Sequence, residues 1–243
     1  MKVLILIAHQ DPNNHATAYR LANAAKESLL EDGNEVKVVD LKSEGFLKTI
    51  SINDYVHPVF EGDDFLPQAS QALENNLVEE ITKQQELLKW ATHVIVVGPM
   101  YYFRFPACFY AYIERVFTFG FAYDKTHNME SGLLSGKKIM CIITTGAGKL
   151  LFEKVAPIDS VLFATTFGFR FSGMQPVRSL CYYSARQPQT RANEAEYLAN
   201  FKKGIKKLDK IPPIPTHKDV EGKTDAEVLA STPDFTLEDM LNL

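Results

Sequence analysis

The first apolar run of this chain is followed neither by Gly-x-Gly-x-x-Gly nor by a phosphate-loop lysine. That argues against a standard dinucleotide fingerprint and against a nucleoside triphosphatase. Cysteine is scarce: Cys108, Cys141 and Cys181 are odd in number, far apart and without CxxC or metal-type spacing. No disulfide framework and no metal centre is therefore expected, and the three read as buried thiols of a protein in the reducing cytoplasm. A basic excess is also missing, since the formal net charge is −4. Nucleic acid and anionic membrane surfaces are thus poor candidates for the main partner. No apolar run approaches the roughly 20 residues that cross a bilayer, so no membrane insertion is expected. The opening MKVLILIA imitates the front of a signal peptide but runs into His9-Gln10-Asp11 without a small-residue cleavage site, and reads as a strand. There is no internal repeat and no low-complexity segment.

What is present is a βα alternation in a chain of 243 residues, a length that suits one α/β domain with appendages. Lys2 to Ala8 reads as a strand. Leu21, Ala25 and Leu29 recur at helical spacing until Gly33-Asn34, and a second strand follows over Glu35 to Leu41. Residues 42–71, punctuated by Gly45, Pro58, Gly62 and Pro67, read as a long surface insertion. Leu73, Leu77, Ile81 and Leu88 mark a helix, the β-branched run from His93 a buried strand, and Pro106, Phe109, Ile113 and Val116 a third helix that begins at the proline. Lys137 to Thr145 is a fourth strand, Leu150 to Thr166 a poorly periodic helical stretch, and a fifth strand or strand pair lies within Phe169 to Tyr183. The last long helix starts at Pro188, with Leu198, Phe201, Ile205 and Leu208 toward the sheet and five lysines between Lys202 and Lys210 toward solvent.

The domain is thus expected over 1–211, and Pro212 opens an acidic C-terminal tail, 212–243. The tail carries two capping-box signals, Thr224 with Glu227 and Thr236 with Asp239, and too many apolar residues to stay disordered. It is expected to dock, a subunit interface being one candidate seat.

Strands alternating with helices imply a doubly wound sheet, whose ligands lie at the carboxyl ends of the strands. Three loops there are informative. The loop from His9 to Thr17 offers small polar side chains and a helix start, whose amides suit a phosphate; Asn13 and Asn14 as plain helix caps explain it equally well. The loop Pro99 to Phe103 brings three aromatics to a strand end, and Thr144 to Gly148 brings hydroxyls and close backbone approach. Together they point to a flat conjugated cofactor, a flavin.

The segment GPMYYFRFPACFYAYIERVFTFGFAY, residues 98–123, resembles the aromatic turn and following ERVFxxGFAY helix of the flavodoxin-like NAD(P)H dehydrogenase (quinone) family, of DT-diaphorase type. Ala8-His9 with Pro12 resembles that family's A-H-x-x-P, and Thr144-Thr145-Gly146 its T-T-G-G loop, with Ala147 in place of the last glycine. The resemblance covers most of Met1 to about Pro213. It implies an α/β fold with a doubly wound five-stranded parallel sheet of order 2-1-3-4-5, a C-terminal extension, and a homodimer. It also implies a two-electron reductase in which FAD, rather than FMN, passes hydride from NADPH or NADH to a quinone or similar small molecule by a ping-pong cycle.

The same resemblance assigns His9, Asn14, His15 and Ala16 to the pyrophosphate side of the flavin. Pro99, Met100, Tyr101, Tyr102 and Phe103 would hold the ring system, with Tyr102 where the family has Trp. Thr144, Thr145, Gly146 and Ala147 would reach the pyrimidine end, and Arg191 the adenosine. Tyr123 would close the substrate pocket, with Phe103 and Ala122 beside it, so that Tyr102 and Tyr123 are the expected contacts on the reacting side. One departure stands out. The family follows its T-T-G-G loop with a Tyr and a His, and the nearest residues here are Phe152 and Ile158, which donate no side-chain hydrogen bond. Backbone N–H groups from Gly146 to Gly148 would have to replace them. Without that pair, a second reading stays open: a flavin-binding regulatory or interaction subunit of a membrane-transport or other complex.

Overall fold

A computed structural model describes all residues, 1–243. Five strands, β1 (Lys2–Ile7), β2 (Glu35–Asp40), β3 (His93–Pro99), β4 (Lys138–Thr144) and β5 (Gln175–Tyr182), form one parallel sheet in the order β2-β1-β3-β4-β5. This is the flavodoxin-like order. Parallel strands need both faces covered, and the alternation of side chains shows how. Leu4, Leu6, Val94, Val96, Ile139 and Cys141 point into one core, and Val3, Ile5, Ile95, Val97, Met140 and Ile142 into the other. The first face is covered by α2 (Glu79–Trp90), α3 (Ala107–Val116) and α4 (Phe163–Phe171), the second by α1 (Thr17–Glu31) and α5 (Glu194–Ile205). No helix is long and apolar enough to cross a membrane.

Several element boundaries differ from the expected ones, each for a local reason. The helix expected from Leu73 begins only at Glu79, leaving Leu73 exposed. Asn75 takes a positive φ of 56°, and the buried Asn76 amide donates to the carbonyls of His57 and Ser70 at 2.9 and 2.7 Å. Those bonds fix an irregular segment where periodicity alone suggests a helix. Pro106 is the N-cap of α3, with ψ at 158°, and not its first residue. Residues 150–166 divide into Lys149–Val155, Ile158–Val161 and the start of α4, and the last helix is interrupted between Pro188–Ala192 and α5.

The insertion at 42–71 is tied to the core by charge. Arg115 on α3 is only 3% exposed, and its Nε and Nη2 donate to Asp54 Oδ1 at 3.0 and 2.8 Å. Its Nη1 lies 2.7 Å from Glu80 and 3.3 Å from the Gly45 carbonyl. Gly45 has φ +86°, and a Cβ there would meet the Glu80 carboxyl at 2.6 Å, so the turn and the ion pair require each other.

The tail folds back on its own chain. Both capping boxes form, starting α6 (Asp225–Ser231) and α7 (Leu237–Asn242). Val228, Leu229, Phe235 and Met240 are buried, and Phe235 bridges to Leu180 along the open edge of β5.

Removing one member of a buried ion cluster leaves the rest uncompensated, typically at about 3–5 kcal/mol. Arg115→Met is therefore expected to lower the stability by that amount in urea unfolding, whereas the double change Arg115→Met with Asp54→Leu recovers a large part of it.

Candidate functional site

The register of the sheet levels the carboxyl ends of β1, β3, β4 and β5: Ile7 is opposite Val97, Pro99 opposite Thr144, and Thr144 opposite Tyr182. The loops leaving those ends enclose a cleft of about 460 Å³. His9, Ala16, Pro99, Met100, Tyr101, Thr144, Thr145, Gly146 and Arg191 line it, as do Asp11 and Thr17 of the same first loop, not singled out as contacts, and Ala185 and Arg186, to which the sequence did not point.

Asp11 organises the first loop. Its Oδ1 accepts the Asn13 N–H at 3.0 Å and its Oδ2 the N–H groups of His15 and Ala16 at 2.6 and 2.8 Å. Those donors, Asn13's first, hold its carboxyl below the ordinary range. The amides that the sequence offers to a phosphate are thus partly consumed within the loop. Those of Thr17 and Ala18, the first two residues of α1, have no protein acceptor; Ala18 is fully buried, and Thr17 lines the cleft at the positive end of the helix. The Asp11 N–H donates to His9 Nδ1 at 2.8 Å. This makes Nδ1 an acceptor and leaves Nε2 as the donor of a neutral ring. Burial pushes the His9 imidazole below its ordinary value, against the nearby Asp11 carboxylate.

Asn14 and His15 do not line the cleft. Asn14 is exposed at φ 58° and accepts from Lys42 Nζ at 2.9 Å, and His15 takes part through its backbone.

The second loop is a tight turn. Tyr101 and Arg104 exchange backbone hydrogen bonds of 2.8 and 3.1 Å around Tyr102 and Phe103, which both take positive φ, 49° and 61°. Two left-handed central residues define a type I′ turn, a conformation that favours Asn-Gly. Aromatic residues there carry a conformational cost. Only Tyr101 of the three reaches the cleft; Tyr102, 96% exposed, and Phe103 project from the rim.

The third loop is fastened to its neighbours. Met100 N–H donates to the Thr144 carbonyl at 2.7 Å, and Ala185 N–H to that of Thr145 at 2.9 Å. The Ala147 N–H is occupied by Thr145 Oγ1 at 3.1 Å, so Ala147 lies behind the cleft, while the Gly146 N–H has no protein acceptor. Of the donors expected between Gly146 and Gly148, the one at Ala147 is therefore not free. Phe152 and Ile158 are both buried, the former with its ring 5.5 Å from that of Tyr183.

The free amides of Thr17 and Gly146, the strand-end residues Pro99, Met100 and Tyr101, and two arginines that pair with no carboxylate fit a phosphate-bearing aromatic cofactor. Tyr123 lies elsewhere. It lines a second cleft of about 530 Å³ with Tyr110, Phe117, Ala164, Gly168 and Phe171, across the surface of α3 and α4. Ala122 is fully buried beside it and reaches neither cleft. Sequence patterning missed Arg186 because the end of β5 was not fixed, and Asp11 because its role is to bind its own loop.

The profile of the family described as the flavodoxin-like fold matches residues 1–205. The chain is 29% identical to NAD(P)H dehydrogenase [quinone] 1 of Cavia porcellus, over 87% of this chain and 78% of the relative. It is 33% identical to ribosyldihydronicotinamide dehydrogenase [quinone] of Mus musculus, over 63% of this chain and 67% of that protein. A Klebsiella pneumoniae protein provisionally named a quinone reductase superposes with a TM-score of 0.82 at 25% identity, covering 95% of this chain and 100% of the other. The chain belongs to the flavodoxin-like family that includes the NAD(P)H dehydrogenase (quinone) proteins.

Proposed function

We propose that the protein is a cytoplasmic, FAD-dependent NAD(P)H:quinone oxidoreductase that works as a homodimer by a ping-pong cycle. The observation that carries this reading is the strand-end cleft, which brings together the free amides of Thr17 and Gly146, the aromatic turn at Tyr101 and two arginines without carboxylate partners. A bound flavin supplies reversible acceptance of a hydride, which links a nicotinamide donor to a quinone acceptor.

The residues divide the work. The Thr17 amide, with the His9 Nε2 proton, would bind phosphate, and Arg186 and Arg191 would take the second phosphate and adenosine that distinguish FAD from FMN. Pro99, Met100 and Tyr101 would hold the ring system along one edge. Thr144, Thr145 and the Gly146 amide would meet its pyrimidine end, where an N–H donor stabilises developing negative charge. The buried, free thiols of Cys108, Cys141 and Cys181 are in keeping with a reducing compartment.

Homodimerisation is supported by the apolar stripe on α4. Ala164, Phe167 and Gly168 are exposed there beside the cleft that holds Tyr123. In a dimer the projecting Tyr102 and Phe103 of one subunit, and Tyr123 of its partner, would meet over the flavin and exclude water from a stacked substrate. Stacking at about 3–3.5 Å is what hydride transfer needs.

Three outcomes follow. Protein purified with its chromophore is expected to release FAD on heat extraction and chromatography, and to lose its yellow colour with NADPH and regain it with a quinone; a colourless protein without turnover overturns the reading. Phe167→Glu is expected to give a monomer in sedimentation, with flavin retained and turnover down by at least about tenfold, as a charge cannot be buried unpaired. Replacing Tyr102-Phe103 with Asn-Gly is expected to raise stability by roughly 1 kcal/mol while lowering turnover, because the favoured turn removes strain together with the aromatic cover.

A further inference from the structure

The tail does more than cover the edge of β5. Asp234, just before the Phe235 bridge to Leu180, accepts the Tyr183 hydroxyl at 2.5 Å through Oδ2 and the Ile158 N–H at 2.6 Å through Oδ1. The preceding Pro233 carbonyl accepts from Arg178, whose Nε is 2.5 Å from the buried Asp159. Asp159 in turn accepts the Ser179 N–H at 3.0 Å. Side-chain bonds therefore seat Asp234 from both flanks of the β5 edge.

Tyr183 stands between this anchor and the cleft. Its ring packs against Phe152 of the helix that follows the third loop. The next residue, Ser184, takes a positive φ of 54°, and donates to the Ala147 carbonyl at 2.9 Å. Ala185 donates to the Thr145 carbonyl, also at 2.9 Å, and with Arg186 forms the cleft wall. A non-glycine residue in that conformation persists only where its surroundings hold it.

We propose that Asp234 is a positioning residue for the cleft, acting through the Tyr183 hydroxyl to hold the 184–186 wall against the third loop. The site it serves is the flavin cleft proposed above, and that reading can fail separately. Asp234 touches no cofactor in this account; it fixes the residues that do.

The test uses the full chain freed of flavin, with Asp234→Ala and Tyr183→Phe as variants that remove the bond from either side. Amide hydrogen exchange at Ser184 and Ala185 is expected to quicken about tenfold in each variant, while amides of β1 and β3 exchange as in the wild type. FAD added back, followed by its fluorescence quenching, is expected to bind about tenfold more weakly to each, with no further loss in the double variant. Faster exchange confined to 224–243, with Ser184 and Ala185 unchanged, overturns the proposal and leaves Asp234 as a tail anchor only. So does wild-type flavin affinity in both variants. Should the wild type bind no FAD, the flavin reading falls, and the exchange at Ser184 and Ala185 still decides whether the latch exists.

Discussion

The register of the parallel sheet is the constraint on which the rest of the structure depends. Each central strand is buried on both faces, so a slip of one residue would turn an entire set of side chains from one core into the other. The register thereby fixed brings the ends of β1, β3, β4 and β5 to one level. At that edge the ladder stops, and the chain must place its last unpaired amides somewhere. Some are consumed by the loops themselves, through Asp11 and Thr145, while Thr17 and Gly146, whose amides have no protein acceptor, line one cleft. The cleft is thus a consequence of where hydrogen bonding runs out. Arg186 and Arg191 then bring positive charge to that edge, opposite in sign to the Asp11 carboxylate in the same cleft.

A second constraint works from beneath. The motif at residues 114–117 shares one turn of α3 between two tasks: exposed Glu114 lines the second cleft, while its neighbour Arg115 is buried in a cage of Asp54, Glu80 and the Gly45 carbonyl. Helical geometry sends adjacent residues to different faces, so one short motif can serve both the surface and the core. Its matching spacing in the sequence carries family resemblance. Its physical role is partly to clamp a long insertion that has little apolar periodicity of its own.

Much of the fold was legible because burial writes itself into hydrophobic pattern. The strands β1, β3 and β4 lie where apolar runs placed them, since doubly buried strands need continuous apolar sequence. The boundaries that moved are those decided by polar tertiary bonds. Asn76, buried and satisfied by two carbonyls, ended a helix that leucine spacing would have extended, and nothing local to Leu73 announces it. The site divides in the same way. Pro99, Met100, Tyr101, Thr144 and Gly146 were legible because a strand end, a break and small residues coincide there. Arg186 and Ala185 were not, as their loop follows a strand whose end is set by pairing with β4 rather than by composition. Nor does any pattern tell an aromatic that lines a cleft from one that projects off its rim.

The backbone itself marks the same edge. Six non-glycine residues have positive φ, and four of them, Asn14, Tyr102, Phe103 and Ser184, lie in loops that leave β1, β3 and β5. Elsewhere the chain mostly uses glycine for that conformation, as at Gly33, Gly45, Gly136 and Gly173. Asn14 adopts it readily and gains the Lys42 contact, so its cost is small and locally offset. Ser184 is held by two backbone bonds that flank the third loop. Tyr102 is held by the two Tyr101–Arg104 backbone bonds but gains almost no packing, its side chain being almost wholly exposed. A turn built from strained, solvated aromatics is held at the expense of the rest of the fold, and an apolar surface laid over it would lower that cost. The proposed partner subunit and flavin would supply such a surface, at the rim where the substrate would enter.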